Sequence, residues 1–587
     1  MAYLPFQFHS QIALQQFEDL YSLLTSENGP FELDGCNLDI AQVVAVARHR
    51  SPVQFEPKSY IDLGKSLQSF RSLLADGDII YGVNTGFGGT ADVRNSQAQQ
   101  LQRVLIRELH YGIAERGSRD PRRVTTKPPS TWNLLREQPA GTNHLPETWT
   151  RASIIIRLNS LLKGYSAVRP IVLDRLLDLL AHDIIPIIPL RGSISASGDL
   201  SPLSYIGGAI QGKSTIRIHS DTGESDFADV AFIRTGLEPV TLEAKEGLAI
   251  VNGTAISAAT AALVLHDAHV LAIMSQVLTA MSVEALQGTV ESFDPFFADV
   301  RPHPGQIDAA RNIREWLQGS RLVQVNEGSD SALRQDRYSI RTAPQWIGPV
   351  LEDLTLANQQ VTIECNSATD NPLASPDGRM LHGGNFQAKA VTSAMEKARQ
   401  GNCSLGRMLF AQCAEIVNPS TSRGLPPNLV AEDPSVSYIF KGTDINMAAL
   451  QAELGFLSTP VNHVQTAELG NQSLNSLALI SARYTHTSND ILAQMVAVHT
   501  IALCQAVDLR ALVIEFFDEF QSVFKQIIEG FYQGLELQIG NLTAKDVLME
   551  NLWKQLKKSF DETVSLDARD RFDLLYAKIG DIPWRPR

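Results

Sequence analysis

Apolar residues recur at helical spacing along most of this chain, and that periodicity restricts the fold to helices packed on helices. Ile155, Leu158 and Leu162 lie three and four residues apart. Leu173, Leu176, Leu177 and Leu180 repeat the pattern behind Pro170, a residue suited to a first helical turn. Ala- and Leu-rich stretches from Gly247 to Leu286, and from Glu468 to about Ala506, predict long helices. Pro186 and Pro189 end a helix and lead into a Gly/Ser loop. Ile216 and Ile218 alternate with polar residues before Asp221-Thr222-Gly223, the pattern of a small hairpin. Residues 508–587 read as a more charged helical tail with Phe517, Phe520 and Phe524 on one face. Arg116 to Pro146, rich in Pro, Arg, Ser and Thr, reads as a surface loop. The expected fold is mainly α, a bundle of long helices with small β hairpins, in three regions: 1–245, 246–510 and 511–587.

Composition narrows the function. Of 587 residues, 44% are apolar and 19% charged, enough for a large core and unlike a disordered chain. A net charge of −14 argues against nonspecific binding to nucleic acid or an anionic membrane. Cys36, Cys365, Cys403, Cys413 and Cys504 are widely separated and never spaced C-x-x-C, which predicts free thiols in a reducing compartment and no structural zinc. The N-terminus lacks a basic stretch followed by an apolar one, so a cytoplasmic address is expected. Ala255 to Met274 is the most apolar stretch. His266, Asp267 and His269 in its middle favour a buried bundle helix over a membrane span.

Chemistry concentrates in RGSISASGDLSPLSYIGG, Arg191 to Gly208. Within it the Gly198 amide nitrogen can attack the Ala196 carbonyl carbon, because glycine has no Cβ to prevent so tight a fold. Loss of water from the ring and from Ser197 leaves an exocyclic methylidene, an electrophile made without an added cofactor. SASGDLSPLSY resembles the motif of the aromatic amino acid ammonia-lyases and aminomutases, which share this 4-methylideneimidazole-5-one group (MIO). Further motifs of that family follow in order across roughly residues 60 to 510. The resemblance implies a homotetramer whose active sites draw on three chains, an MIO formed from Ala196-Ser197-Gly198 in the first region, and neither metal nor pyridoxal phosphate.

The remaining site residues come by the same resemblance. Tyr81 opens YGVNTGFGG, which lacks the Lys-Ser/Thr of a phosphate loop; the matching tyrosine lies on a lid and is the general base. A phenol titrates near 10, so Tyr81 needs tuning by nearby positive or dipolar groups. In QDRYSIRTAPQW, Arg341 matches the arginine that grips the substrate carboxylate, a task for which a planar fork is suited. Tyr338, one turn earlier, would share its face if the segment is helical. Asn252 in VNGT is expected to bond the MIO ring or substrate, Asn366 in NSATDNPL the carboxylate, and Phe386 in HGGNFQ to pack near the ring. In AELGNQSLNS, Glu468 could handle the amine, while Asn471 and Gln472 could support Tyr338 and the MIO.

Lys441 matches a lysine of phenylalanine-acting members, where histidine-acting ones carry Met. The ring-recognition pair is Glu108-Leu109, in place of the family's Phe-Leu, His-Leu or His-Gln. A Glu108 facing a bare phenyl would be a buried, unpaired carboxylate. A ring hydroxyl could donate to it, or Arg107 or His110 could pair with it. The expected substrate is therefore L-phenylalanine, with L-tyrosine close behind, and the expected reaction is ammonia elimination to a trans-arylacrylate such as cinnamate. A 2,3-aminomutase uses the same parts and stays open. An inactive helical scaffold is the remaining alternative, and intact Ala196-Ser197-Gly198, Tyr81 and Arg341 argue against it. The GSSxMPxKxN run of fumarase-like lyases is absent, as is a lysine in a phosphate-binding context.

Overall fold

The computed structural model describes residues 7–25, 29–56, 59–113, 143–194, 199–219, 226–324, 335–461, 466–534 and 542–580. Helices carry the fold. Among the described residues the strands are three short pairs: Phe31–Leu33 parallel to Val53–Phe55, and two antiparallel pairs, Arg217–Ile218 with Asp226–Phe227 and Leu373–Ala374 with Met380–Leu381. The second is the pairing that Ile216 and Ile218 imply; its turn, 220–225, lies outside the described residues, as do 116–142 of the expected surface loop. Contacts gather the chain into two compact units, each made of three stretches. One holds Met1–Val270, Glu352–Gly401 and Leu457–Asn489; the other holds Leu271–Leu351, Asn402–Phe456 and Asp490–Arg587.

In the first unit, the helix Ile40–His49 starts at a capping box. The Asp39 carboxylate accepts from Gln42 N at 2.7 Å, and the Gln42 side chain accepts from Asp39 N at 3.0 Å. It packs on Glu147–Leu162, which is buried from Thr148 to its end. Such a helix must pair its charges: Arg151 meets Asp183 at 2.5 Å. Pro170 opens Pro170–Ala181, which buries Leu173, Leu176 and Leu180 as the spacing predicts.

The apolar stretch after Ala255 lies within the helix Ala255–Ala285, and its membrane-length window is wholly buried in protein. Two of the polar residues in its middle, Asp267 and His269, are partnered. Arg48 grips Asp267 at 2.6 and 2.7 Å, and His269 meets His9 at 2.9 Å and Asn358 at 3.2 Å. Burial holds the His9 imidazole down at about 4, so it is neutral at pH 7. The helix expected from Glu468 starts instead at Ala478 and runs to Gly534. Glu468, Leu469 and Leu477 have φ of 53, 56 and 56°, left-handed values that an α-helix cannot contain.

In the second unit, Phe517, Phe524 and Ile528 pack against Leu552, Leu556 and Phe560 of the helix Leu542–Glu562, with Phe520 and Trp553 at the margin. The phenylalanines at three- and four-residue spacing therefore face one core, as their period predicts. Leu552 is at its centre, 1% exposed. Truncating it to alanine should cost about 2–5 kcal/mol. Hydrogen exchange should then quicken across residues 513–534 and 542–575; unchanged protection there would contradict this packing.

Candidate active site

YGVNTGFGG folds as a knot of turns. The Asn84 side chain accepts from Ile80 N and donates to Asp78 O, both at 2.8 Å, and the Thr85 hydroxyl accepts from Gly82 N at 2.9 Å. This returns the loop on itself, so that the Gly88 N–H donates to the Tyr81 hydroxyl at 2.7 Å. Gly88 has φ of 50°, a left-handed value that favours glycine, and a Cβ there would displace the Glu468 carboxylate. Phe87 meets the Tyr81 ring edge-on, centroids 6.4 Å apart.

Glu468 belongs to the facing segment, a 3₁₀ turn at Glu468–Gly470. Its carboxylate accepts from Gln472 Nε2 at 3.0 Å and Asn471 Nδ2 at 3.3 Å. A third wall comes from Asn252, at the C-terminus of the helix Glu246–Val251; its amide donates to the Asn371 carbonyl at 3.0 Å. The Asn371 side chain accepts from Gly383 N at 2.8 Å, which ties down the segment carrying Phe386 and Gln387. Tyr81, Phe87, Leu200, Leu248, Asn252, Asn371, Phe386, Gln387, Glu468, Asn471 and Gln472 line a cavity of about 280 Å³. Two forces oppose each other on Tyr81. Burial first, and the Glu468 charge, push its phenol above the ordinary value, while the Gly88 N–H pulls it down.

Ala196, Ser197 and Gly198 lie outside the described residues. On either side of them, Asp199 forms a clamp. It accepts from the Ser193 hydroxyl at 2.6 Å, Ile194 N at 2.7 Å and Ser201 N at 3.3 Å. The next residue, Leu200, lines the cavity.

The sequence matches the family described as aromatic amino acid lyase over residues 38–527. The chain belongs to that family. It is 44% identical over 573 residues to a phenylalanine ammonia-lyase of Aspergillus lentulus, covering 96% of this chain and 78% of that one. It is 43% identical over 572 residues to an L-β-phenylalanine-forming phenylalanine aminomutase of Talaromyces islandicus, again with 96% and 78% covered. The crystal structure of phenylalanine ammonia-lyase from Rhodosporidium toruloides superposes with a TM-score of 0.85 at 40% identity, covering 98% of this chain and 82% of that one.

Within this aromatic amino acid lyase, the structure brings Tyr81, Asn252, Phe386, Glu468, Asn471 and Gln472 to one cavity. It does not bring Asn366 there. That amide is spent on the scaffold: its oxygen accepts from Leu38 N at 2.8 Å and Asn159 at 3.0 Å, and its nitrogen donates to Leu38 O at 2.7 Å. Asn371, five residues on in the same NSATDNPL run, lines the cavity instead. Gln387 in HGGNFQ and Phe87 in YGVNTGFGG were likewise within quoted motifs, but which residue of a motif faces inward depends on backbone direction. Leu200 stands inside SASGDLSPLSY without a role assigned to it, and Leu248 carries no sequence signal beyond being apolar.

Glu108 and Leu109 end the helix Ala98–Glu108 and are not in that lining. Glu108 is forked by Arg107 at 2.5 and 2.9 Å, and His110 turns away to the Ser204 carbonyl at 3.0 Å. Tyr338, Arg341 and Lys441 belong to the second unit. There Tyr338–Arg341 is a single helical turn with the guanidinium 4.8 Å from the tyrosine ring centre, so the two do share a face. Lys441 lies 5.4 Å from the Tyr438 ring centre.

On the expected role of Tyr81 as general base, turnover needs its phenolate and rises with pH through the phenol's pKa. Removing a negative neighbour favours the phenolate. Glu468→Gln should therefore move the ascending limb of the kcat/KM pH profile to lower pH; an unmoved limb, or one displaced upward, would contradict the coupling.

Proposed function

We propose that this chain is an ammonia-lyase that eliminates ammonia from an aromatic L-amino acid, L-phenylalanine first and L-tyrosine second, to give a trans-arylacrylate such as cinnamate. One observation carries the reading: Tyr81, Asn252 and Glu468 line a single cavity that Leu200, two residues beyond Gly198, also lines. The residues present suit an MIO formed from Ala196, Ser197 and Gly198. Asp199 ties the chain before this tripeptide to the chain after it, which favours a tight backbone closure between them. Such a group supplies the electrophile that makes the substrate amine a better leaving group.

The chain's own residues do the rest. Tyr81, once ionised, takes the β-proton, and the Gly88 N–H steadies its oxygen. Glu468 is placed to hold the amine and to receive its proton. Asn252 and Asn371 orient groups against the cavity wall, and Phe386, Phe87 and Leu248 keep water from it. Arg341 offers a planar fork for the substrate carboxylate, and Tyr338 stacks against it. The family pattern adds a cytoplasmic homotetramer, in which the Tyr338–Arg341 pair and Lys441 would serve the pocket of a neighbouring copy. Phenylalanine is placed first because Glu108 is exposed beside Arg107 and lies outside the cavity lining, so a bare phenyl ring strands no carboxylate.

The test is product analysis by chiral chromatography and mass spectrometry after incubation with L-phenylalanine, L-tyrosine and L-histidine. Cinnamate plus ammonia from phenylalanine as the fastest reaction is the expected result. A dominant β-amino acid would make the enzyme an aminomutase, and no turnover of any of the three would overturn the reading.

A further inference from the structure

Behind the asparagine wall lies a group of charges with no access to water. Lys245 and Asp370 form an ion pair at 2.5 Å with both side chains 0% exposed, and Arg157 beside them is also fully buried. Removing two such ions from water is costly, and replacing the pair by apolar side chains would satisfy the core equally well. A pair kept at that cost invites the question of what its geometry does.

The pair joins two segments that both end in the cavity. Lys245 caps the N-terminus of Glu246–Val251, and Asn252 caps the C-terminus of that same six-residue helix. Asp370 immediately precedes Asn371. One Asp370 oxygen takes the Lys245 ammonium, and the other accepts from Asn371 N at 2.6 Å. The helix is thus stitched to residues 370 and 371 at both ends: by the ion pair at one, and by Asn252 donating to the Asn371 carbonyl at the other. Arg157 holds the middle, donating to the Ala249 carbonyl and, at 3.4 Å, to the Thr369 hydroxyl. A Cβ on Gly253 would strike this guanidinium, which explains the glycine of VNGT. Lys245 itself sits at φ of 73°, a conformation few lysines adopt, so the local backbone is bent to present its ammonium. Burial lowers the lysine from its ordinary range, and Asp370 opposes that shift.

We propose that Lys245 and Asp370 are positioning residues, whose buried ion pair sets the placement of Asn252 and Asn371 in the cavity wall. This rests on the reading of that cavity as the active site. Neither side chain lines the cavity. The pair acts through Asn371, whose main chain and side chain both bond to neighbouring wall segments, and so reaches the segment bearing Phe386.

Two variants test it. Lys245→Met combined with Asp370→Asn removes both charges together, so neither is left buried alone. Asp370→Glu keeps both charges but lengthens the reach by one methylene. For each, kcat and KM are measured per folded chain, beside the thermal midpoint and the pH profile. Misplacement by about an ångström in an active site lowers rates on the order of a hundredfold. We expect kcat to fall roughly ten- to a hundredfold in both, with KM changed less and the ascending pH limb unmoved, because Gly88 and Glu468 are untouched. Wild-type kcat in folded variants, with only the midpoint lowered, would make the pair structural and overturn the proposal. So would failure of both variants to fold. Wild-type enzyme is assayed alongside: if it turns over none of the aromatic amino acids, to arylacrylate or to β-amino acid, the reading of the cavity fails whatever the variants do.

Discussion

Charges taken out of water and bonded inside the protein fasten chain segments of the first unit to one another, the segments of the cavity wall among them. In the first unit, Arg157 and Arg399 are 0% exposed and Arg151 is 2% exposed, and each guanidinium reaches across to another chain segment. Arg399 donates to Glu396 and to the Ser481 carbonyl, Arg157 to the Ala249 carbonyl, Arg151 to Asp183 and the Val46 carbonyl. A planar fork with five donors can tie several acceptors at once, which suits it to fastening loops between packed helices. The Lys245–Asp370 pair belongs to the same class of contact, placed one residue behind the cavity. Packing fixes where the helices run; these buried polar contacts fix which way the short segments between them face.

On that fixed wall, Tyr81 sits under opposing influences. Its oxygen receives the Gly88 N–H, while its surroundings and Glu468 disfavour the phenolate. A base held above its ordinary pKa in the resting protein is strong when it ionises but seldom ionised at neutral pH. The additional positive charge that would lower it belongs, on the proposed reading, to the assembled enzyme, in which Arg341 and Lys441 are supplied by other copies. Gly88 is where these influences meet: its N–H donates to the Tyr81 hydroxyl, and its missing side chain admits the Glu468 carboxylate.

Helical periodicity made the architecture legible, because Ile155, Leu158 and Leu162, or Phe517, Phe520 and Phe524, report one buried face wherever they occur. The boundary near Glu468 was not legible. AELGNQSLNS has helix-compatible residues, yet Glu468, Leu469 and Leu477 take left-handed backbone values that only tertiary contacts impose. The grouping of three distant stretches into each unit also follows from contacts that order along the chain does not encode. At the site, motifs marked the segments that line the cavity more reliably than the individual residues that face it. NSATDNPL was singled out for Asn366, but that amide is engaged with Leu38 and Asn159, and it is Asn371 that lines the cavity. Asp199 was quoted within the loop motif without a role, since its clamp on Ser193 and Ile194 appears only when the chain folds back on itself.

The central claim is that Ala196, Ser197 and Gly198 condense to form the enzyme's electrophile. Trypsin cleaves after Arg191 and Lys213 and releases residues 192–213 as one peptide. Its mass in the purified protein is the most direct measurement. The account predicts a peptide lighter than the encoded sequence by two waters, and a Ser197→Ala peptide that, lacking the side-chain hydroxyl, is lighter than its own encoded sequence by one water at most. A wild-type peptide at its full encoded mass would contradict it.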